Sequence, residues 1–429
     1  MSAHVVDLLA DLDARGLVHD STDRALLAQR LSAGPLSVYC GFDPTADSLH
    51  IGSLVPILSL RRFQLAGHRP IALGGGATGM IGDPSGKSAE RNLLDAASLE
   101  TNLVGISSQL ERFLDFSPGP AQAIIVDNNS WIGEMRLVEF LRDIGKLATV
   151  NQMVAKESVR SRMEGTDGIS YTEFSYMLLQ AYDYWWLNEH EGCELQIGGS
   201  DQWGNITAGI DLIRRRSGRN VHGLTFPLVT RSDGAKYGKT AEGTIWLSAE
   251  RTSPYRFYQY WMQVDDRDVE RFLLQLTLLN ASDAHAIATE HGLAPEKRIG
   301  QRSLAEQITT LVHGEEQTRA AEAASQILFG AALDEVPEAV FATLAGEVET
   351  TTISRSRIIK GADLVDILVE TGLAGSKGDA RRGLDQGGVY INNHRVDPAE
   401  GTLTQANLLF DRYILIRKGK RNYHLIQCV

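Results

Sequence analysis

The chain has 429 residues, a net charge of −12 and 43% hydrophobic residues, a length that predicts two to four domains with substantial cores. This composition excludes a disordered chain, and no apolar run approaches the roughly 20 residues of a membrane span. Three scattered cysteines, Cys40, Cys193 and Cys428, form no CxxC pair, which argues against a disulfide framework and a zinc site. We therefore expect a cytoplasmic enzyme without a bound metal centre.

Apolar, strand-like segments alternate with helical ones between residues 36 and 220. The strand-like segments are LSVYC, RPIALGGG, AQAIIVDN and CELQIGG, and helices such as SLVPILSLRRFQLAG and TEFSYMLLQAYDYWWLNEH lie between them. This alternation predicts an α/β, Rossmann-like fold with a parallel sheet and helices on both faces. The ligand is then expected at the carboxyl ends of the strands. Residues 250–330 read as nearly all helix.

The segment PTADSLHIGS, residues 44–53, lies between a predicted strand and a predicted helix. It places Thr45 and His50 in a turn whose backbone N–H groups are expected to point outward, as in an anion site. A lone histidine is usually a cap or a core residue. Here an imidazole and a hydroxyl at a helix N-terminus favour stabilisation of charge on a phosphate.

The segment KYGKT, residues 236–240, is a glycine-centred loop that carries Lys236, Lys239 and Thr240. Two surface lysines are usually only solvated. Combined with the His50 turn, they predict a loop that closes over a triphosphate and opens again. The two segments together indicate that the chain binds the phosphates of ATP.

The glycine-rich run GGGATG, residues 74–79, matches the G-x-G-x-x-G pattern of dinucleotide sites. A lone match is weak, and no acidic residue follows at the end of a second strand. A Walker P-loop also fails, because Ile81 occupies the required glycine position. The glycines are better explained by close approach of backbone to a small ligand, with Asp83 placed to hold an ammonium group.

Tyr176, Gln180 and Asp183 follow one another at intervals of four and three in an otherwise hydrophobic helix. This spacing puts them on one face of the helix. Buried polar groups are expected to be hydrogen-bonded, so this face is predicted to meet a polar ligand.

These motifs, from Leu36 to Val429, resemble the class I aminoacyl-tRNA synthetases and specifically the bacterial tyrosyl-tRNA synthetase family. The resemblance implies that L-tyrosine reacts with ATP and Mg²⁺ to give tyrosyl-adenylate, and that the tyrosyl group then passes to tRNA(Tyr). It also implies a homodimer. The catalytic residues that it implies are Thr45, His50, Lys236 and Lys239. The ATP-binding residues that it implies are Gly41, Asp43, His50, Gly52, Ser53, Asp201, Lys239 and Thr240. The tyrosine-binding residues that it implies are Tyr39, Asp83, Tyr176, Gln180, Asp183 and Gln196.

Weaker assignments follow from the same resemblance. Lys87 and Arg91 are similar to residues near the pyrophosphate or the tRNA acceptor end, and Gln202 is expected to face the ribose or the carboxylate. At one position the chain departs from the pattern, because Ser53 stands where the four-residue signature usually ends in histidine.

The C-terminal segment differs in charge from the rest of the chain. Residues 351–429 carry twelve Lys/Arg and eight Asp/Glu, a balance of +4, which leaves −16 on residues 1–350. Residues 353–396 resemble an S4-type RNA-binding module, with Lys377, Arg381 and Arg382 as RNA-binding residues and a hairpin around Asn392-Asn393.

The predicted domains are a catalytic domain at 1–225, a signature loop and helical anticodon-binding domain at 226–330, an acidic linker at 331–350 and the S4-like domain at 351–429. Two other functions stay open. One is a tryptophan-specific enzyme, against which the Tyr39/Asp183 pair argues because indole offers only a donor. The other is an RNA-binding splicing or regulatory protein built on an inactive synthetase scaffold.

Overall fold

The computed structural model describes residues 7–85, 94–165, 168–230, 232, 239–240, 243–333, 336–397 and 401–429. The chain forms two units. The first contains Met1–Thr252 and Gln263–Val312, and the second contains Ser253–Met262 and His313–Val429.

A five-stranded sheet with the order β3-β2-β1-β4-β5 forms the centre of the first unit. Its strands are β1 (Ser37–Phe42), β2 (Arg69–Gly74), β3 (Ile124–Asp127), β4 (Cys193–Gly199) and β5 (His222–Phe226). All neighbouring strands are parallel. The predicted α/β Rossmann-like fold is therefore confirmed, and the sheet order reverses direction on the two sides of β1, where such sheets bind ligands.

Ten helices that precede β5 surround or extend this sheet in the part of the chain described. They are α1 (Leu8–Ala14), α2 (Arg24–Ser32), α3 (Leu54–Leu65), α4 (Ala96–Phe113), α5 (Asn129–Ile132), α6 (Leu137–Asp143), α7 (Val150–Val154), α8 (Glu157–Met163), α9 (Tyr171–Glu191) and α10 (Trp203–Ser217). The longest, α9, begins after Ser170, whose side chain accepts a hydrogen bond from the N–H of Glu173, and ends at Gly192 in the left-handed conformation.

After β5 come the two short strands β6 (Lys239–Thr240) and β7 (Gly243–Thr244), which pair antiparallel. The following helices are α11 (Pro254–Met262), α12 (Val269–Leu276), α13 (Ala281–Leu293), α14 (Ile299–His313) and α15 (Glu315–Leu328). Almost all of α12–α14 belongs to the first unit, although the sequence predicted a separate helical domain. Arg15 and Arg62 explain this, because their guanidinium groups donate to carbonyl oxygens at the end of α12, including that of Leu274 at 3.1 and 3.3 Å.

A second five-stranded sheet, with the order β11-β10-β13-β14-β8, forms the second unit. The strands of this unit are β8 (Glu349–Ile353), β9 (Ala362–Asp363), β10 (Val389–Ile391), β11 (His394–Arg395), β12 (Thr402–Leu403), β13 (Tyr413–Lys418) and β14 (Asn422–Cys428), with helices α16 (Ala339–Glu347), α17 (Arg355–Ile359), α18 (Leu364–Glu370) and α19 (Lys377–Asp385). The predicted hairpin is present, because β10 and β11 pair through Asn392 and Asn393, both at positive φ.

The segment predicted as an acidic linker differs in the structure. Its residues 339–347 form α16, and Val340, Phe341 and Leu344 are buried in a hydrophobic core with residues of β13 and β14. The acidic composition of this segment indicated a solvated linker. The same segment contains the apolar face of a helix, and that face packs into the core. No helix among the described residues is long and apolar enough to cross a membrane.

Candidate active site

Asp183 is an acidic residue of α9 that is almost completely buried in the first unit. Two side chains donate hydrogen bonds to it: Asn128 Nδ2 lies 3.0 Å from Oδ2, and Trp131 Nε1 lies 2.8 Å from Oδ1. Burial raises the pKa of Asp183 to about 8, and these two donors partly oppose that shift. Each oxygen of this carboxyl group accepts one hydrogen bond from the protein, and the group retains the capacity to accept a further one from a ligand.

Two buried polar side chains near the centre of the sheet have no hydrogen-bond partner among the described residues. They are the hydroxyl of Tyr39 on β1 and the amide oxygen of Gln196 on β4, which lie in register on adjacent strands. Burial, followed by the charge of Asp183, raises the pKa of Tyr39 well above its usual value, so this hydroxyl stays a neutral donor. Unpaired buried polar groups of this kind are expected where a polar ligand binds.

A second group of hydrogen bonds lies where β1 ends. Asp43 accepts from Thr78 Oγ1 and from the hydroxyl of Tyr176, both at 2.9 Å. Gly75 is required here, because a Cβ atom at this position would lie 2.2 Å from the Asp43 carboxylate. Tyr176, the first residue of the predicted polar row on α9, is thus connected to the loop that follows β1.

A third group joins the loop after β2 to the start of α10. Gln202 Nε2 donates to Asp83 at 2.6 Å, and Asn205 Nδ2 donates to Gln202 at 3.1 Å and to Gln180 at 3.0 Å. Gln180 therefore has a side-chain partner that also orients Gln202. Asp201 lies exposed at the end of β4. The predicted tyrosine-binding side chains are thus gathered at the carboxyl edge of the sheet.

The glycine-rich run after β2 does not form a dinucleotide site. The N–H of Gly76 donates to Asp127 at 3.1 Å, and the N–H of Ala77 donates to Asn128 at 2.8 Å. Since these amides already have protein partners, they do not form a pyrophosphate cradle.

His50 lies exposed in the turn before α3, but the amides around it are not directed outward as the sequence predicted. The N–H of Ile51 donates to the carbonyl of Ile245, that of Gly52 to His50 Nδ1 at 3.0 Å, and that of Ser53 to the carbonyl of His50. Because Nδ1 accepts a hydrogen bond, a neutral imidazole carries its proton on Nε2. Any phosphate contact at this turn must therefore come from side chains.

Gly52 has a steric role in this arrangement, because a Cβ atom there would lie 2.7 Å from the His50 ring. Thr45 and Gly41 are exposed nearby in the chain, and Ser53 is half-buried. Ser53 precedes α3 without a side-chain capping bond, so the residue that replaces the usual histidine does not serve as a cap.

The KYGKT segment, residues 236–240, is the second signature of the chain, and residues on both sides of it contact other parts of the first unit. Before it, Arg271 donates to the carbonyl of Thr230 at 2.6 Å, and the N–H of Ser232 donates to Asp268 at 3.0 Å. After it, residues 245–247 pair with residues 49–51 beside the His50 turn. The backbone of Lys239 and Thr240 forms β6. Lys87, Arg91 and Lys236 lie outside the described residues.

Sequence reasoning missed Asn128 and Trp131, which hold Asp183, and Asn205, which holds Gln180 and Gln202. Asn128 and Trp131 follow β3 directly, and this strand end, AIIVDNNSW, was the available signal. In the second unit, Lys377, Arg381 and Arg382 lie exposed on α19. Ser376 caps this helix, and Lys377 forms an ion pair with Asp366 at 2.7 Å.

A parallel sheet with buried polar side chains at its carboxyl edge, next to a histidine-bearing turn before a helix, is the arrangement expected from the resemblance to class I tRNA synthetases. Comparison with known proteins agrees. A family described as tRNA synthetases class I (W and Y) matches residues 31–330, and a tyrosine–tRNA ligase SYY-like C-terminal domain matches residues 341–426.

Curated relatives extend this match to the whole chain. The tyrosine–tRNA ligase of Opitutus terrae is 53% identical over 98% of this chain and 100% of its own length, and that of Geobacillus stearothermophilus is 51% identical with the same coverage. The crystal structure of a C-terminally truncated mitochondrial tyrosyl-tRNA synthetase from Aspergillus nidulans is 30% identical, with a TM-score of 0.69 over 76% of this chain and 94% of that one. The chain belongs to the tyrosine–tRNA ligase family, whose members are aminoacyl-tRNA synthetases.

Proposed function

We propose that the chain activates L-tyrosine with ATP to tyrosyl-adenylate and pyrophosphate, and then transfers the tyrosyl group to the 3′-terminal ribose of tRNA(Tyr). The observation that carries the proposal is buried Asp183, held by two donors near the unpaired hydroxyl of Tyr39. A phenol is the amino-acid side chain that satisfies both groups. Its hydroxyl donates to an oxygen of the Asp183 carboxyl group and accepts from Tyr39.

The remaining polar side chains suit the other end of the amino acid. Asp83, Tyr176 and Gln180 hold the ammonium group, and Gln196 lies near the amino-acid backbone. Gln202 orients Asp83 through its 2.6 Å hydrogen bond. In this proposal Asp201 faces the ribose or the carboxylate at the open end of the site.

MgATP is the second substrate. Gly41, Asp43, Gly52 and Ser53 line the nucleotide side of the site, next to Thr45 and His50. His50 presents Nε2–H, because its Nδ1 accepts from Gly52, and this proton can hydrogen-bond a phosphate oxygen. Lys236, Lys239 and Thr240 supply further contacts from the second signature, and Lys87 and Arg91 bind pyrophosphate or the tRNA end.

The chemistry requires no covalent intermediate with the protein. An oxygen of the tyrosine carboxylate bonds to the α-phosphorus of ATP while the bond from that phosphorus to pyrophosphate breaks. The ribose hydroxyl of the tRNA then attacks the tyrosyl carbonyl, and AMP leaves. The protein contributes alignment and charge stabilisation, which together account for large rate enhancements.

Tyr39→Phe and Asp183→Ala test the pocket. Both variants lose a partner of the substrate hydroxyl, so both are expected to reduce the ratio of kcat/KM for tyrosine to kcat/KM for phenylalanine. For Asp183→Ala the reduction should correspond to several kcal/mol of discrimination free energy. Enzymes specific for tyrosine are themselves the reference case for such selection, at about 10⁵-fold. Tyr39→Phe also removes an unpaired buried hydroxyl, so the substrate-free variant should be no less stable than the wild type. Unchanged ratios in both variants would contradict the assigned roles.

We further propose that the chain acts as a homodimer, in the cytoplasm. Large apolar side chains are exposed along residues 137–171 of the first unit, namely Leu137, Val138, Leu141, Val150, Met163 and Tyr171. A concentration of exposed apolar residues in one segment is typical of a protein interface. A second copy of this chain is the proposed occupant.

Val138→Asp tests this interface by placing a charge in it. Val138 is 73% exposed, so the substitution should not affect folding of a single chain. Val104 on α4 is 66% exposed and gives the control variant Val104→Asp. Sedimentation should show a dimer for the wild type and for Val104→Asp, and a monomer for Val138→Asp. A monomeric wild type, or a dimeric Val138→Asp variant, would contradict the proposed interface.

A further inference from the structure

Three aromatic rings form a continuous stack between the buried Asp183 region and the protein surface. Trp131 on α5 stacks on Trp186 of α9, with ring centroids 4.1 Å apart and planes inclined by 9°. Trp186 stacks in turn on His190, at 4.2 Å and 15°. Trp186 and His190 are four residues apart and lie on the same face of α9.

Trp131 connects this stack to the carboxylate. Its Nε1–H donates to Asp183, which lies three residues before Trp186 on the same helix. One helix therefore holds Trp131 in two ways, by a hydrogen bond to the ring edge and by contact with the ring face. The helix that carries Trp131, α5, has only four residues, so it does little by itself to fix the orientation of the Trp131 side chain.

The orientation of the Trp131 ring decides the strength of its hydrogen bond. An indole N–H lies in the ring plane, so tilting the ring turns the donor away from Asp183. Hydrogen bonds weaken steeply as the angle at the hydrogen decreases. The parallel contact with Trp186 fixes the plane in which this donor points.

We propose that Trp186 is a positioning residue for tyrosine selection, which holds Trp131 in the plane that keeps its N–H on the Asp183 carboxylate. His190 covers the outer face of Trp186 and completes the stack. The inference rests on the proposed function, in which Asp183 recognises the tyrosine hydroxyl. Trp186 acts through Trp131 and has no contact with substrate in this account.

The neighbouring tryptophan provides a matched control. Trp185 is also half-buried on α9, but it stacks on Tyr182 with centroids 5.3 Å apart and lies under the guanidinium of Arg216 at 3.8 Å. Trp185→Ala and Trp186→Ala thus remove the same side chain from adjacent positions. Only Trp186→Ala removes a ring that contacts Trp131.

The measurement is kcat/KM for tyrosine and for phenylalanine in pyrophosphate exchange. Trp186→Ala should lower the tyrosine-to-phenylalanine ratio by about tenfold, as expected for one misaligned hydrogen bond, whereas Trp185→Ala should leave it within about twofold of the wild type. Trp186→Phe retains a flat aromatic ring, so its tyrosine-to-phenylalanine ratio should stay close to that of the wild type. Trp186→Leu fills the space without a flat face, so it should lower the ratio even if the alanine variant does not fold.

Equal ratios in Trp186→Leu and Trp186→Phe would overturn the inference, as would equal losses in Trp185→Ala and Trp186→Ala. A wild type that does not prefer tyrosine would instead contradict the proposed function. A wild type that selects tyrosine, with a Trp186→Leu variant that selects it equally well, would contradict only the role of Trp186.

Discussion

Asp183 shows how a single side chain can carry both recognition and a cost in stability. Its carboxyl group is buried in the core of the first unit, and that burial raises its pKa to about 8. The folded chain therefore keeps the proton at pH values where the unfolded chain, with an ordinary value of 3.8, has released it. Folding then takes up a proton, and stability falls as the pH rises between about 4 and about 8.

Asp183→Asn should remove this pH dependence. Each pKa unit corresponds to about 1.4 kcal/mol, so the substrate-free wild type should lose several kcal/mol relative to the variant between pH 5 and pH 8. Urea unfolding across this range measures the difference. Asp95→Asn is the control: hydrogen bonds from Ser98 lower the pKa of exposed Asp95, so the stability difference between this variant and the wild type should be independent of pH above pH 5. Parallel stability curves for wild type and Asp183→Asn would show that Asp183 ionises normally.

His50→Ala should slow adenylate formation by about 100-fold, as for loss of one donor to a developing charge. Tyrosine affinity should change little, because His50 lies on the nucleotide side of the proposed site. Stopped-flow measurement of adenylate formation separates the rate from the affinity. His285→Ala, at an exposed histidine of α13 paired with Glu270, should leave both unchanged. Weak tyrosine binding with a normal forward rate would contradict the role given to His50.

The elements of the first unit were largely predictable, because each has a local signal. The strand-like runs correspond to β1–β4, and the helix with the polar row corresponds to α9. In both cases the hydrophobic pattern of the segment itself indicates a strand or a helix. The four-residue α5 has no such pattern. Its site residues Asn128 and Trp131 are recognisable only once β3 places them beside Asp183. The paired amides of the His50 turn depend on residues 245–247, about 200 positions away, which no local pattern contains.

The attachment of the second signature to α12 is another long-range feature. Arg271 forms an ion pair with Asp268 at 2.5 Å and donates to the carbonyl of Thr230, so one side chain links the helix to the segment before the signature. We expect this attachment to position the lysines that follow.

Arg271→Gln should lower the rate of pyrophosphate exchange by roughly tenfold, the loss typical of a hydrogen bond from a charged group, with tyrosine affinity unchanged. Arg267→Gln is a close control, because Arg267 is an exposed arginine just before the same helix and forms an ion pair with Asp265 at 2.8 Å. Steady-state kinetics with ATP and tyrosine varied in turn distinguish the two substrates. Equal behaviour of the two variants would mean that the contact with Thr230 has no role in the reaction.

At the scale of the whole molecule, charge separates an acidic N-terminal part from a basic C-terminal one. The sequence predicted this asymmetry and the S4-like resemblance, but not where the second unit begins. Its core includes α15 and α16, whose residues Ala324, Ile327 and Phe341 pack with Tyr413 and Leu415. Removal of residues 351–429 would expose this core, so substitutions test the RNA contact more cleanly than truncation does.

Replacing Lys377, Arg381 and Arg382 together by glutamine should spare tyrosine activation and weaken tRNA binding. Each lost phosphate contact should also reduce the dependence of tRNA affinity on salt. Comparison of pyrophosphate exchange with tRNA charging at two salt concentrations measures both effects. Arg319→Gln, at an exposed position on α15, is the control. Equal loss of activation and charging would indicate a structural role for the three cations.

Pyrophosphate exchange with ATP and each of the twenty amino acids, without tRNA, tests the central claim most directly. The proposed pocket predicts exchange with tyrosine and none of comparable efficiency with phenylalanine or tryptophan. Efficient exchange with a different amino acid would overturn the assignment of Tyr39 and Asp183. No exchange from folded protein would contradict tyrosine activation itself and favour an RNA-binding protein on an inactive synthetase scaffold.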